Sequence, residues 1–402
     1  MNRSEYIFCF KGKIFCMTGI FLFVIVLPVF SALSPDSDTS LQKRIRILYG
    51  YYQQGFVLPT NQFVRGNNIK QQPINNYGAV SAGLSWQTTG ARQWEQLWNY
   101  PRLGAGFYKP LFPDAAYLGN PAGMYGSMAF ALKRWTGSVI FFETSLGFQF
   151  NWNSYLEDKY NLAIGARQSI SFSTAFLLEK KLWKGLKASL GAGFVHFSNG
   201  SLKVPNLGIN VFTPRIGLEY AFDDIDSKFI YRELPEFSRR REYNLSAFTG
   251  FRNILYYGND VDSLTQRRGV YYKCYGLAFS YNYQVSHKSK FGIGIMTDYL
   301  GYVNSTISSS DGRLVPNPAS LKEGFEISIF PSYEQVINRA SVLLQPGFYL
   351  HRADYPEKTP ATYQRIGLKY YITDNLNLGL NMRAHYWSIA DFIEWNIGYT
   401  FR

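Results

Sequence analysis

The chain has 402 residues and a formal net charge of +13, yet only 17% of it is charged, against roughly 25% in an ordinary soluble domain, while 18% is aromatic, with 31 Tyr and 32 Phe. That composition excludes an ordinary water-facing surface. Two of the three cysteines, Cys9 and Cys16, sit at the very start and leave Cys274 alone, so neither a disulfide framework nor a thiolate metal site is expected, and the basic residues are scattered in a way that suits an anionic membrane surface rather than a nucleic-acid groove.

In chain order, Arg3, Lys11 and Lys13 precede an apolar core at residues 14–30 and the small residues Ser31, Ala32 and Ser34. This is the layout of a secretory signal peptide over residues 1–34; an uncleaved anchor is the alternative, because the core is slightly long for an h-region. No later run reaches the ~18 apolar residues of a membrane helix. Residues 35–76 read as an N-terminal segment with room for one strand at 46–57.

From residue 77 to 402 a single pattern recurs: apolar and aromatic residues at alternate positions over ten to fourteen residues, then a turn. It fits residues 77–86, 102–109, 123–135, 138–150, 168–178, 185–197, 208–222, 243–254, 270–283, 290–303, 323–336, 340–351, 362–372, 375–387 and 392–402. Connections alternate in length. "EKKLWKG", "VSHKSK", "VINR" and "ITDN" are short, whereas "YYGNDVDSLTQRR" and "NSTISSSDGRLVPNPASLK" are long and polar. Outer-membrane barrels alternate in this way, with tight periplasmic turns and longer extracellular loops. Residues 223–242 break the rule by being long on the short side, and the pattern gives no account of them.

In the last strand, "FIEWNIGYTFR", Ile393, Trp395, Ile397, Tyr399 and Phe401 share one face, and Glu394, Asn396, Gly398, Thr400 and Arg402 share the other. Apolar out and polar in is the barrel pattern; a secreted β-sandwich is the alternative. The expected fold is therefore all-β: one transmembrane antiparallel β-barrel of about 14 to 16 strands over residues 77–402.

Within it, "GFVHFSNGSLKVPNLGIN" at residues 193–210 stands out. Counting by twos along the apolar face from Leu186 reaches His196 and then Ser198, and the same parity on the next strand leads from Phe222 back to Asn210. A His, a Ser and an Asn are thus expected on the bilayer-facing wall at the long-loop rim. Polar residues are costly in the lipid band, so a cluster there needs a reason. One is a serine esterase: Ser198 as nucleophile, His196 as base, Asn210 fixing the imidazole, and the backbone N–H groups of Asn199 and Gly200 for the oxyanion. The other is that the group merely marks the water interface, since a lone His-x-Ser is a weak signal. Lys203 and Arg102 are candidates for lipid phosphates, or ordinary loop charges.

The segment from His196 to Asn210 resembles the active-site pattern of the outer-membrane lipid A 3-O-deacylases of the PagL type: His-aromatic-Ser-Asn, then Pro-Asn-x-Gly, then an acid. "NYPRLGAGFY" and "YQRIGLKYYITDNLNLGLNMRAHYWSIADFIEWNIGYTF" resemble longer acyloxyacyl hydrolase-like relatives. The resemblance implies a cofactor-free esterase, monomeric or homodimeric, that cleaves an acyl ester of lipid A or lipopolysaccharide among outer-membrane lipids, using His196 and Ser198. The family Glu falls at Asn210, with Asp391 as a conceivable substitute acid, whereas Glu394 and Asp298 point into the lumen by parity. The departure leaves a second expectation open, a non-catalytic barrel, pore or lipid-binding scaffold, that kept the motif without the acid.

Overall fold

The computed structural model describes residues 44–113, 115–223, 229–353, 360–387 and 389–402, so the expected signal peptide lies outside the described part. Eight strands follow one another in the first half: β1 (Ile45–Val57), β2 (Asn76–Gln87), β3 (Arg102–Leu111), β4 (Gly119–Trp135), β5 (Ser138–Trp152), β6 (Ser169–Lys181), β7 (Leu186–Ser198) and β8 (Ile209–Ala221). The second half holds β9 (Arg240–Ile254), β10 (Val270–Ser286), β11 (Ser289–Leu300), a short hairpin of β12 (Thr306–Ser310) and β13 (Arg313–Asn317), β14 (Phe325–Ile337), β15 (Ala340–His351), β16 (Thr362–Tyr371), β17 (Leu376–His385) and β18 (Ile389–Phe401). Four short helices occupy connections among the described residues: α1 (Gln93–Leu97), α2 (Ala115–Leu118), α3 (Ser263–Arg268) and α4 (Leu321–Gly324).

These strands do not form the expected single barrel. They close twice, β1 to β8 as one barrel and β9 to β18 as another, with the β12–β13 hairpin outside both. β8 returns to pair with β1 from Ile47↔Ala221 to Val57↔Val211, and β18 returns to β9 from Glu394↔Gly250 to Phe401↔Tyr243. β1 is therefore a stave of the first barrel, which starts well before residue 77. The anomalous long connection after β8 is the link between the barrels. It spans the short-turn end, where Phe229 packs on Ile45, Ile47 and Ala221, and Ile230 N–H donates to Thr89 O at 2.8 Å.

Closure at eight follows from what fills the inside. An eight-stranded barrel has an interior just wide enough for side chains, whereas sixteen strands leave an aqueous channel. In the first barrel Arg102 pairs with Glu179 at 2.7 Å and Glu219 at 2.6 Å, Lys187 with Glu179 at 2.6 Å, and Arg215 with Glu143 at 2.8 Å. In the second, Arg383 meets Asp298 at 2.6 Å and Glu394 at 3.1 Å, and Arg365 meets Glu394 at 2.6 Å. A cavity of about 40 Å³ remains there, lined by side chains such as Asn244, Asn282, Asn381 and Ser332. Arg102 is thus a lumen cation and no lipid contact, and Glu394 and Asp298 face inward.

The outer rows are apolar and mostly exposed, the pattern of a barrel wall that faces hydrocarbon, including Leu190, Phe212, Ile216, Leu218 and Tyr220 on β7 and β8. One row changes along its length. On β18, Phe401, Tyr399 and Ile397 are 51%, 45% and 53% exposed, whereas Ile393 is 4% exposed. The loop-side half of that strand is covered by the other barrel: Ile393, Leu380 and Trp395 pack with Leu146, Phe148, Ile170 and Leu202. At the opposite end Trp98 Nε1 donates to Val336 O at 3.2 Å. The barrels therefore stand side by side, sharing a seam.

Because Arg383 is fully buried among three carboxylates, its replacement leaves buried charge without a partner. Arg383→Met is expected to cost about 3–5 kcal/mol, read as a lower midpoint of urea unfolding in detergent micelles.

Candidate active site

The site lies at the long-loop end, where β7 hands over to the loop of residues 199–208 and β8 brings the chain back. β7 alternates: Lys187, Ser189, Val195 and Phe197 are buried inside, and Leu186, Ala188, Leu190, Ala192, Phe194, His196 and Ser198 share the outward parity. His196 pairs across the ladder with Asn210 on one side and Phe172 on the other, while Ser198 pairs with Ile170. The imidazole and the hydroxyl therefore emerge on the outer wall.

His196 Nδ1 and Asn210 Oδ1 are 2.7 Å apart. An amide oxygen only accepts, so the proton sits on Nδ1 and the lone pair is left on Nε2. Asn210 Nδ2 donates to Thr60 Oγ1 at 3.0 Å, and Leu58 N–H donates to Asn210 O at 2.8 Å, which ties the amide to the segment after β1. No carboxylate among the described residues hydrogen-bonds the ring. Asp391 is engaged elsewhere, paired with Arg252 at 2.7 Å and accepting from Tyr302 Oη at 2.9 Å, so it does not replace the missing acid.

Ser198 Oγ accepts two hydrogen bonds, from Asn206 Nδ2 at 2.7 Å and from Gly200 N–H at 3.0 Å. It is not hydrogen-bonded to His196 in this structure; the two side chains are strand neighbours of like parity, about 6.6 Å apart at Cα from the strand rise. The two expected oxyanion donors separate. Gly200 N–H points at the serine oxygen, whereas Asn199 N–H is spent on Asn206 Oδ1 at 3.0 Å. Asn206 lies inside the singled-out segment, and sequence reasoning gave it no role because nothing in the residue order shows that the loop folds back over Ser198.

The loop is held on both sides. Toward the first barrel, Leu207 N–H donates to Leu162 O at 3.1 Å, Gly208 N–H to Ala163 O at 3.0 Å, and Asn61 Nδ2 to Gly208 O at 2.7 Å. Toward the second, Ser201 Oγ donates to Ala390 O at 2.7 Å, and Lys203 Nζ reaches Asn253 Oδ1 at 3.1 Å and Arg267 O at 2.9 Å. Burial, with Arg268 beside it, pulls the Lys203 ammonium down to about 7. Lys203 is thus turned into the seam and away from lipid phosphates.

Gly208 has φ +71°, and a Cβ there would stand 2.7 Å from His196 Cε1. Gly208→Ala is expected to push the ring off Asn210, read as a shift of the His196 imidazole resonances in NMR spectra of the protein in micelles; unshifted resonances would show that the site accommodates the Cβ.

Two family models match the chain. Lipid A 3-O-deacylase (PagL) matches residues 80–219, and acyloxyacyl hydrolase, C-terminal domain, matches residues 241–402. The boundary between them falls on the link between the barrels. No curated protein matches. Solved structures that match include the siderophore receptor PirA from Pseudomonas aeruginosa (10% identity, 90% of this chain and 81% of that one, TM-score 0.24) and PirA from Acinetobacter baumannii (10%, 87% and 57%, 0.23). CdiB from Acinetobacter baumannii also matches, at 9% identity over 89% of this chain and 60% of that one, with a TM-score of 0.17. The chain spans less than two thirds of the Acinetobacter receptor and of CdiB, and at these TM-scores the likeness carries no structural argument.

Proposed function

Because this chain belongs to the lipid A 3-O-deacylase (PagL) family, we propose that it is an outer-membrane esterase that removes an ester-linked acyl chain from lipid A or a related glycolipid, with Ser198 and His196 acting at the lipid-facing rim. The observation that carries this reading is the pairing of a proton-bearing Nδ1, fixed by Asn210, with a bare Nε2 on the same outer face as a serine cradled by two donors.

The chemistry follows from those atoms. A side-chain rotation brings Ser198 Oγ within reach of Nε2, which takes its proton as Oγ attacks the ester carbonyl. Such contacts are commonly loose before substrate binds. Charge then develops on the former carbonyl oxygen, and the donors already converging on Ser198, Asn206 Nδ2 and Gly200 N–H, are the groups nearest to stabilise it. The imidazolium returns its proton to the departing sugar oxygen, and water cleaves the acyl-serine by the same route. Exposed Phe172 and Phe212, with Phe194 beside His196, give the acyl chain an apolar wall along the outside of the barrel. A glycolipid therefore reaches the site sideways from the bilayer, with no passage through the lumen.

The pore reading has no support in interiors filled by ion pairs. The scaffold reading draws on one observation, Asn210 in place of the family acid, and the decisive test covers it. Expression of the wild-type chain is expected to yield lipid A lacking one acyl chain by mass spectrometry, and Ser198→Ala to abolish that species; identical acyl patterns would sink the esterase.

Asn210→Glu supplies the charge that an imidazolium lacks here. We expect kcat to rise about 10-fold or more; an unchanged rate would mean that orientation by the amide already suffices.

A further inference from the structure

The search for further sites leads to the seam between the barrels, where one side chain of the loop after Ser198 enters the second barrel. Helix α3, like any helix, leaves its last carbonyls open: Gly269 N–H returns to Gln266 O and Thr265 O, which leaves the carbonyls of Arg267 and Arg268 without a helical partner. Lys203 Nζ fills the gap, donating to Arg267 O at 2.9 Å, to Arg268 O, and to Asn253 Oδ1 at 3.1 Å. Three protons meet three oxygens. Asn253 is fully buried, and its Nδ2 is held by Arg268 O at 3.2 Å and Val270 O at 3.0 Å, which aims Oδ1 at Lys203 and at Val204 N–H, 3.2 Å away.

From this socket a continuous chain of hydrogen bonds leads back to the nucleophile. Lys203 O accepts from Asn199 Nδ2 at 2.8 Å, Asn199 N–H donates to Asn206 Oδ1 at 3.0 Å, and Asn206 Nδ2 donates to Ser198 Oγ at 2.7 Å. We infer that Lys203 is a positioning residue: seated in an oxygen socket on the second barrel, it holds the loop that presents Asn206 and Gly200 to Ser198. The second barrel thereby becomes part of the machinery of the first without touching substrate. Docking of the barrels has other anchors, Ser201 on Ala390 O and Leu202 among Leu380 and Ile393, so loss of the socket loosens the loop and leaves the seam.

The inference rests on the esterase reading, and the test separates the two. The full chain in detergent micelles is assayed with a p-nitrophenyl ester for kcat and KM, alongside Ser198→Ala, with heat-modifiable gel migration reporting the fold. Lys203→Gln is expected to lower kcat about 10–100-fold with KM changed less than about threefold. Lys203→Arg should recover most of the loss, and Asn253→Ala, which removes one of the three oxygens, should lower kcat in the same direction by less and add little to Lys203→Gln, since both act through one socket. If Lys203→Gln does not fold, Asn253→Ala, which leaves the ammonium its two carbonyls, carries the test. A kcat within about twofold of wild type in the folded variant, with Ser198→Ala inactive, overturns the positioning role and leaves the esterase standing. A fully active Ser198→Ala overturns both, because there is then no nucleophile to position.

Discussion

Closure at eight strands is the constraint from which the rest of this molecule follows. A barrel of that size has no room for bulk water, so whatever points inward must satisfy itself, and here arginines meet carboxylates from strands across the lumen. Such networks add little to stability over an apolar filling, but they are intolerant of being half removed. With both interiors committed in this way, neither barrel has a lumen to offer a substrate, and any chemistry has to be built on the outer wall or at the rims.

The second consequence concerns the seam. Two closed cylinders side by side can touch only along a few staves, and here the contact at the loop end is made by β5, β6 and the loop after β7 against β17 and β18. The loop that carries Asn206 is thereby squeezed between two rigid bodies. A ten-residue connection rich in Asn, Gly and Ser would be mobile on an isolated barrel. Here Gly208 closes against the His196 ring on one side and Gly200 against Ile393 on the other, positions where a Cβ would collide.

Much of this was legible in the sequence, because period-two alternation survives in every stave. Fifteen of the sixteen barrel strands, the inward parity of Glu394 and Asp298 and the outward parity of His196 and Ser198 could be counted directly, whereas β1 read only as a strand with room outside the barrel. What could not be counted was closure. Register between β8 and β1, about 170 residues apart, leaves no local trace; the cue to it in the sequence is the long connection after β8 at the short-turn end. For the same reason the burial of Lys203 was hidden, since it depends on a second barrel that alternation alone cannot separate from the first, while the fold-back of Asn206 on Ser198 is made within an aperiodic loop.

The amide at Asn210 fits this setting better than it fits a water-filled cleft. A carboxylate on the outer wall, one ladder rung from Phe194 and Phe212, would be stripped of water by an arriving acyl chain, and ionised groups in that position cost several kcal/mol unless fully paired. Asn210 avoids that cost. It keeps the ring oriented through Oδ1 and is itself held by Thr60 and by the backbone at Leu58. What it gives up is the charge that would stabilise an imidazolium, so on the proposed esterase reading more of the transition-state stabilisation would fall to the donors around Ser198. On that reading the rigidity of the loop, and hence the second barrel that grips it, would matter more here than in a site with a full acid.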